Sequence, residues 1–590
     1  MPTTKAEHST ADTASQLLRA RRETWIALGI ASALAVAWTL ALSSAQSWGW
    51  DESMHAELSA ARMLVAAQAG ELRASIDALL GCSQYPFVYP VCLALAQAVF
   101  GLSEHVARVT GVLTWCATLF GLFLLGREIA RSLRREPDHG ESAGALELVP
   151  WLAMALGALS PLALSFAGTL FLEVPFTCAA VFTLRAWLRR VDDVDARTLR
   201  RRDLAAGAWL TIAFFVKFNY GVLLAGGLAL DWMIDAIRAA RSRALNEHVR
   251  RARWLAAVPV AAVVWWFAIP IPGGFAIASE HRAAFVEFLA GNQGMAPRPL
   301  PYRLLFAAGQ FALDPRMFVA LAIGLAASLR HVSNTGVRCL WLVIACSWIP
   351  VWIHPFFLDR FLIPGGAALW PLAALGIAEL LPRAWRSRGV VLAAAAAGIV
   401  LFIGSDTWWL VERTGYAADD PNTRAYQVKQ FAEWHDLSGA REPMTNGLAR
   451  ADADALLDAV AREVKPDERV AWFGISTQLS PAALHIGLLQ RGGSRERFLR
   501  DSHEPLDVAY FGVDPVWTDD QLATFARAFD VVLFSEPVTL KGQKDREYMS
   551  AYCRRLVEVL HYSKKQILEV AIAMPPNAPR HVKLFACRRP

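Results

Sequence analysis

Long apolar runs separated by short arginine clusters dominate the chain, and that alternation constrains the fold more than any other feature. A helix that crosses a bilayer needs about 20 apolar residues, because a rise of about 1.5 Å per residue has to cover roughly 30 Å of hydrocarbon. Such runs lie at 25–47, 105–126, 148–167, 173–189, 204–219, 221–237, 254–272, 313–330, 339–355, 361–380 and 389–405. A further run at 86–101 (PFVYPVCLALAQAVFG) is shorter and carries two prolines. Charged residues are only 19% of the chain and hydrophobic ones 55%, whereas a soluble domain carries about 25% charge. The expected architecture is a polytopic α-helical membrane protein.

The arginines decide the status of 86–101. They cluster at 19–22, 127–135, 189–202, 238–253, 330–338 and 383–388, and the intervening connections hold few. If 86–101 does not cross, every cluster falls on the side of the N-terminus, as basic residues do on the cytoplasmic face. If it crosses, the pattern inverts midway. It is therefore expected to lie at the outer interface, in an outer loop spanning 48–104. About eleven crossings follow, with a cytoplasmic tail at 1–24 and a membrane region at 25–406. Arg19, Arg21 and Arg22 precede the first run, which reads as an uncleaved signal anchor, with a cleaved signal peptide as the alternative.

The net charge of +6 combines 50 Arg with 9 Lys, and its confinement to these clusters carries topology rather than a nucleic-acid surface. The eight cysteines form no CxxC pair, which excludes a zinc ribbon or dithiol motif. Cys553 and Cys587 both fall in the C-terminal region, where a disulfide between them is one option.

Beyond 407 the apolar stretches shorten. Strand-like runs at 469–475, 507–513, 530–536, 568–575 and 581–587 alternate with amphipathic segments at 448–464, 517–529 and 545–562. This predicts an extracytoplasmic α/β domain over 407–590, with a mainly parallel sheet and an antiparallel final pair. No phosphate-cradling loop follows its first strand.

Ionisable residues beside hydrocarbon are costly, so each is a candidate functional group. Asp51, Glu52 and His55 follow the first apolar run in WGWDESMHAEL. Glu173 opens another in GTLFLEVPF. Lys217 ends FFVKFNYG and is the only lysine between Lys5 and Lys429. His354 and Arg360 lie in IHPFFLDRFLIP. In the topology above all sit at the outer surface, where the inner surface is expected to hold only arginine clusters. A carboxylate there can take a proton from an acceptor hydroxyl or amine, and Lys217 and Arg360 suit a lipid phosphate. Two acids near His55 or His354 are also compatible with a divalent cation, although the spacing is not diagnostic.

In order along the chain, WDE, YPFVYP with its following apolar helix, HVARVTGVLT, SPLALSFAGTLFLEVPF, VKFNYG and DRFLIPGGAALWPLAAL resemble the GT-C superfamily of integral-membrane glycosyltransferases. Within it, the layout over 25–405 is similar to the bacterial aminoarabinose transferases and protein O-mannosyltransferases. The resemblance implies a GT-C-like membrane domain in a bacterial inner membrane. It implies a polyprenyl-phosphate-linked sugar donor and a lipid, polysaccharide or protein acceptor. Asp51 would be the catalytic base and Glu173 the second acidic residue, with Lys217 and Arg360 near the lipid phosphate. Glu52, His55, Tyr85, Tyr89 and His354 would contribute to substrate binding. One departure stands out. Relatives often carry a charged or imidazole residue before the first proline of YPFVYP, and here Gln84 and Tyr85 take that place.

The expected activity is sugar transfer from the polyprenyl phosphate to the acceptor at the outer face. A transporter or flippase is the rival from another class, and it would place charges in mid-helix and repeat its halves. A non-catalytic relative acting in envelope assembly is a third reading, and a metal-dependent lipid phosphotransferase a fourth.

Overall fold

The computed structural model describes residues 4–41, 56–80, 86–135, 143–268, 315–353, 359–381, 450–473, 480–501, 518–536, 554–571 and 581–589, with short gaps at 161–162, 164–165, 169, 192–194 and 242–244. The membrane half is a bundle of α1 (Thr4–Ala41), α5 (Glu104–Arg134), α6 (Val149–Ala158), α7 (Glu173–Leu188), α8 (Ala196–Val216), α9 (Phe218–Arg241), α10 (Leu245–Ala268), α11 (Pro315–Ser328), α12 (Thr335–Ile353) and α13 (Gly366–Leu380). Between α1 and α5 lie three short helices, α2 (Leu58–Gln68), α3 (Leu72–Leu80) and α4 (Val88–Phe100). Ten of the eleven expected runs thus coincide with helices. The eleventh, 389–405, lies outside the described residues.

Among the described residues, four helical stretches are long and apolar enough to span a bilayer by themselves: Leu18–Leu40, Glu104–Arg134, Phe218–Arg241 and Leu362–Leu380. The chain is a multi-pass membrane protein. Its helix ends are written into the sequence. Ser103 caps α5 by accepting from the Val106 amide at 3.2 Å, with Glu104 in the first turn and Arg131 and Arg134 in the last. Asp195 caps α8 through the amides of Arg197 and Thr198, at 2.9 and 3.0 Å.

Consecutive long helices run antiparallel, so the bundle has two chemically distinct ends. Arg127 of α5 donates to Thr24 of α1 at 2.5 Å and to the Ala20 carbonyl at 3.2 Å. The end of α5 therefore lies beside the start of α1, and the segment joining them makes no net crossing. α4, with 13 residues, lies within that segment. The arginine distribution had required the two helix ends to meet in this way.

The arginine-rich end differs from the expectation in one respect, because it also holds buried acids. Asp231 accepts from Arg338 and from the Trp187 indole at 2.9 Å. Asp203 holds Arg190 at 2.5 Å and Arg251 at 3.3 Å, and Glu128 holds Arg131 at 2.9 Å. His331 pairs with Glu379. A guanidinium near hydrocarbon is tolerable when a carboxylate meets it, and these arginines lock the bundle.

The C-terminal region contains α14 (Arg450–Glu463), α15 (Pro481–Gln490), α16 (Arg495–Asp501) and α17 (Asp519–Arg527). They accompany a four-stranded sheet ordered β1–β2–β4–β3, made of Val470–Phe473, Val531–Glu536, Ser563–Ala571 (β3) and His581–Arg588 (β4). Only β1 and β2 pair in parallel, while β4 is antiparallel to both β2 and β3. The sheet is mixed rather than mainly parallel among the described residues. β3 begins at Ser563, ahead of the expected 568, because the exposed polar stretch SKKQ still pairs with β4 at the edge of the sheet. The 507–513 run lies outside the described residues. Cys587 is a free thiol buried in β4, so the disulfide with Cys553 is not made. Burial pushes that thiol up to about 12.

This C-terminal unit packs on the end of the bundle opposite the arginines. Leu456, Leu457, Ile486 and Phe498 share one apolar cluster with Leu58 and Val65 of α2, Tyr89 and Leu93 of α4, and Leu170 and Leu172 just before α7. Gln490 reaches across to the Leu102 carbonyl at 3.4 Å.

Candidate functional site

The end of the bundle that meets the C-terminal unit also collects the buried charges around Glu173 and Lys217. Glu173 begins α7, where the unpaired amides of the first turn favour a carboxylate. Lys217 sits at the break between α8 and α9. Its backbone is extended, with φ −155° and ψ 100°. The chain stays hydrogen-bonded on both sides, from the Lys217 amide to Ala213 at 3.2 Å and from the Gly221 amide to Lys217 at 2.9 Å. Gly221 makes the tight return possible, since a Cβ there would lie 2.5 Å from the Phe214 Cα. VKFNYG is thus a hinge between two helices that points one lysine into the bundle.

Lys217 Nζ meets Glu173 Oε1 at 2.5 Å, and the two side chains are 4% and 1% exposed. The ammonium also lies 5.1 Å from the Tyr220 ring centroid, and Tyr220 packs on Phe176 at 5.5 Å. A lone ammonium here would carry several kcal/mol of desolvation cost, roughly, and the carboxylate with the aromatic face offsets it. The result is a preformed polar spot in an apolar wall.

Other elements converge on it. Phe87, within YPFVYP, packs on Phe215, two residues before Lys217, with ring centroids 5.2 Å apart. The tight turn Asp359–Gly365, which includes Arg360 in its backbone, packs against α7, and its Leu362 and Ile363 are buried in the bundle core. YPFVYP, LEVPF, VKFNYG and DRFLIP, which are far apart in sequence, therefore meet at one end. Tyr89 is buried and belongs to the cluster under the C-terminal unit. Asp51, Glu52, His55, Tyr85 and His354 lie outside the described residues. Among the described residues no group of three His, Cys, Asp or Glu side chains is arranged to hold a metal ion.

At this end, two buried polar pairs among the described residues escaped the sequence reading. Arg108 bonds Glu104 at 2.8 Å and reaches the Gly168 carbonyl at 3.2 Å, fastening the start of α5 to the segment that leads into Glu173. Their i,i+4 spacing at a helix start was the available signal. Gln97 donates to Glu57 at 2.5 Å, joining α4 to the residue before α2. Gln97 sits in an apolar run and Glu57 in a polar one, so nothing in the sequence links them. At the same end a cleft of about 480 Å³ opens between α5 and the C-terminal unit, with Gln68, Ser103, His105, Gln490 and Arg495 among its lining.

No protein-family model matches the chain, and no curated protein matches it. Solved structures do. ArnT from Cupriavidus metallidurans in the apo state is 17% identical, over 96% of this chain and 98% of its own, with a TM-score of 0.55. The same protein bound to undecaprenyl phosphate is 15% identical, over 95% of this chain and 98% of its own, with a TM-score of 0.54. Over nearly its whole length, the chain has the fold of ArnT from Cupriavidus metallidurans.

Proposed function

We propose that the protein transfers a sugar from a polyprenyl-phosphate carrier to an acceptor at the outer face of a bacterial inner membrane, with the N-terminus in the cytoplasm. The observation that carries this is the buried Glu173–Lys217 pair at one end of an ArnT-like bundle. A preorganised cation in a dry wall suits a phosphate leaving group whose charge grows as the glycosidic bond breaks. ArnT has been solved bound to undecaprenyl phosphate, which agrees with a lipid of that class as the donor's carrier.

In this reading Asp51 removes the acceptor proton while the acceptor attacks the anomeric carbon, and the lipid phosphate leaves toward Lys217 and Arg360. Glu173 holds the Lys217 ammonium where the phosphate will arrive, so it acts as a positioning residue. Glu52, His55, Tyr85 and His354 complete the substrate pocket, and Tyr89 supports it from the adjoining cluster. The cleft beside α5 offers amide, hydroxyl, imidazole and guanidinium groups, a lining suited to a glycan-bearing lipid, polysaccharide or protein acceptor. The charges described at this end sit at helix ends, as a surface-acting transferase requires and a mid-membrane transport path does not.

The test is turnover of a panel of radiolabelled polyprenyl-phosphate sugars by purified protein, with membrane extract as the acceptor source. Loss of sugar from one carrier supports the proposal. No loss from any of them refutes it.

A further inference from the structure

A second polar constellation lies at the arginine-rich end, away from Glu173 and Lys217. α8 and α10 approach closely at Gly207, where a Cβ would fall 2.3 Å from the Leu255 carbonyl oxygen. Nearer the arginine-rich end, buried Asp203 of α8 takes Arg251 of α10 at 3.3 Å, which fixes the two helices to each other. Arg200 of α8 and Arg253 of α10 are placed differently. Both guanidiniums lie on the same indole, that of Trp254, with their carbons 3.7 and 4.9 Å from its centroid. Both are exposed, and among the described residues neither has a carboxylate within ion-pairing distance. Arg197 and Arg201 are exposed on the same helix turns and extend the basic surface.

Trp254 opens the apolar stretch WLAAVPVAAVVWWFA of α10, the depth at which tryptophan marks the boundary between headgroups and hydrocarbon. Two cations gathered on one ring at that depth repel each other, and each loses part of its hydration. An anion beside them relieves both costs. We propose that Arg200, Trp254 and Arg253 form a headgroup site for an acidic phospholipid of the inner leaflet. Guanidiniums present forked donors that match a phosphodiester, and the indole holds each of them so that less side-chain freedom is lost on binding. Charge complementarity selects the occupant. A phosphatidylglycerol-type headgroup brings only an anion, whereas a choline headgroup brings a cation that the same arginines repel.

The test is native mass spectrometry of the full chain in detergent, titrated with phosphatidylglycerol, phosphatidylcholine or inorganic phosphate. The proteins compared are wild type, Arg200→Gln/Arg253→Gln, and Arg21→Gln/Arg22→Gln, which removes the same charge at another corner of the same end. Phosphatidylglycerol is expected to bind wild type and the Arg21/Arg22 variant alike, and the Arg200/Arg253 variant roughly thirtyfold more weakly, the scale for two interfacial cations. Each single variant, which keeps the test open if the double does not fold, is expected to lose roughly fivefold. Equal binding of phosphatidylcholine, displacement of the lipid by inorganic phosphate, or an equal loss in the Arg21/Arg22 variant would overturn the proposal.

Discussion

Lys217 donates to Glu173 at 2.5 Å across the ends of two helices, with both side chains buried. Each charge makes the other tolerable, so the pair is a unit. Removing one partner of a buried pair typically costs about 3–5 kcal/mol. Lys217→Ala and Glu173→Gln should therefore each lower the thermal midpoint in detergent. Glu173→Gln/Lys217→Met should be destabilised by less than the sum of the two. Strict additivity would mean that the pair is not coupled.

The C-terminal unit should weaken in acid through His485. Its imidazole is buried, and its Nε2 has no hydrogen-bond partner among the described residues. Burial, and then the Arg497 charge, pull it down to about 4 from an ordinary value of 6.5. Above pH 6.5 the group is neutral in folded and unfolded chains alike, so it adds no pH dependence. As pH falls from 6.5 toward 4, the unfolded chain takes up a proton that the folded one refuses, and stability is lost, roughly 2 kcal/mol by pH 5. Denaturant melts of wild type and His485→Leu should differ in pH dependence, wild type losing roughly 2 kcal/mol relative to the variant between pH 7 and pH 5. Parallel curves across that range would remove His485 from the account.

Topology is testable at two exposed arginines. Arg73 on α3 is 87% exposed at the end of the bundle that meets the C-terminal unit, and Arg241 ends α9 at the other. In protein whose other accessible cysteines are serine, Arg73→Cys should react with an impermeant maleimide in right-side-out membrane vesicles. Arg241→Cys should react only after permeabilisation. The reverse pattern would invert the assigned orientation.

Much of this was legible in the sequence because hydrocarbon leaves few options. An apolar run of sufficient length becomes a helix, and a single lysine inside one stands out. The arginine spacing also required the end of α5 to lie beside α1, and Arg127 meets Thr24 there. What stayed hidden was pairing. Asp203 and Asp231 look like ordinary charges beside arginine clusters, and only the folded bundle brings them to Arg190 and Arg338. Glu173 and Lys217 could each be singled out, but their contact spans 44 residues and depends on the hinge at Gly221. In the sheet, strand–helix alternation suggested parallel pairing, which only β1 and β2 keep. β4 inserts between β2 and β3, and an order of that kind is set by packing rather than by any local signal.

The most direct measurement of the central claim is single-turnover release of sugar from the active polyprenyl-phosphate donor by wild type, Asp51→Asn and Lys217→Ala. Asp51→Asn, which keeps the shape but removes the base, should slow release by about 100-fold or more. Lys217→Ala should slow it by a similar factor, on the scale of losing one preorganised charge at the leaving group. Turnover at the wild-type rate in folded Lys217→Ala would contradict the account, because the buried pair would then have no part in the chemistry.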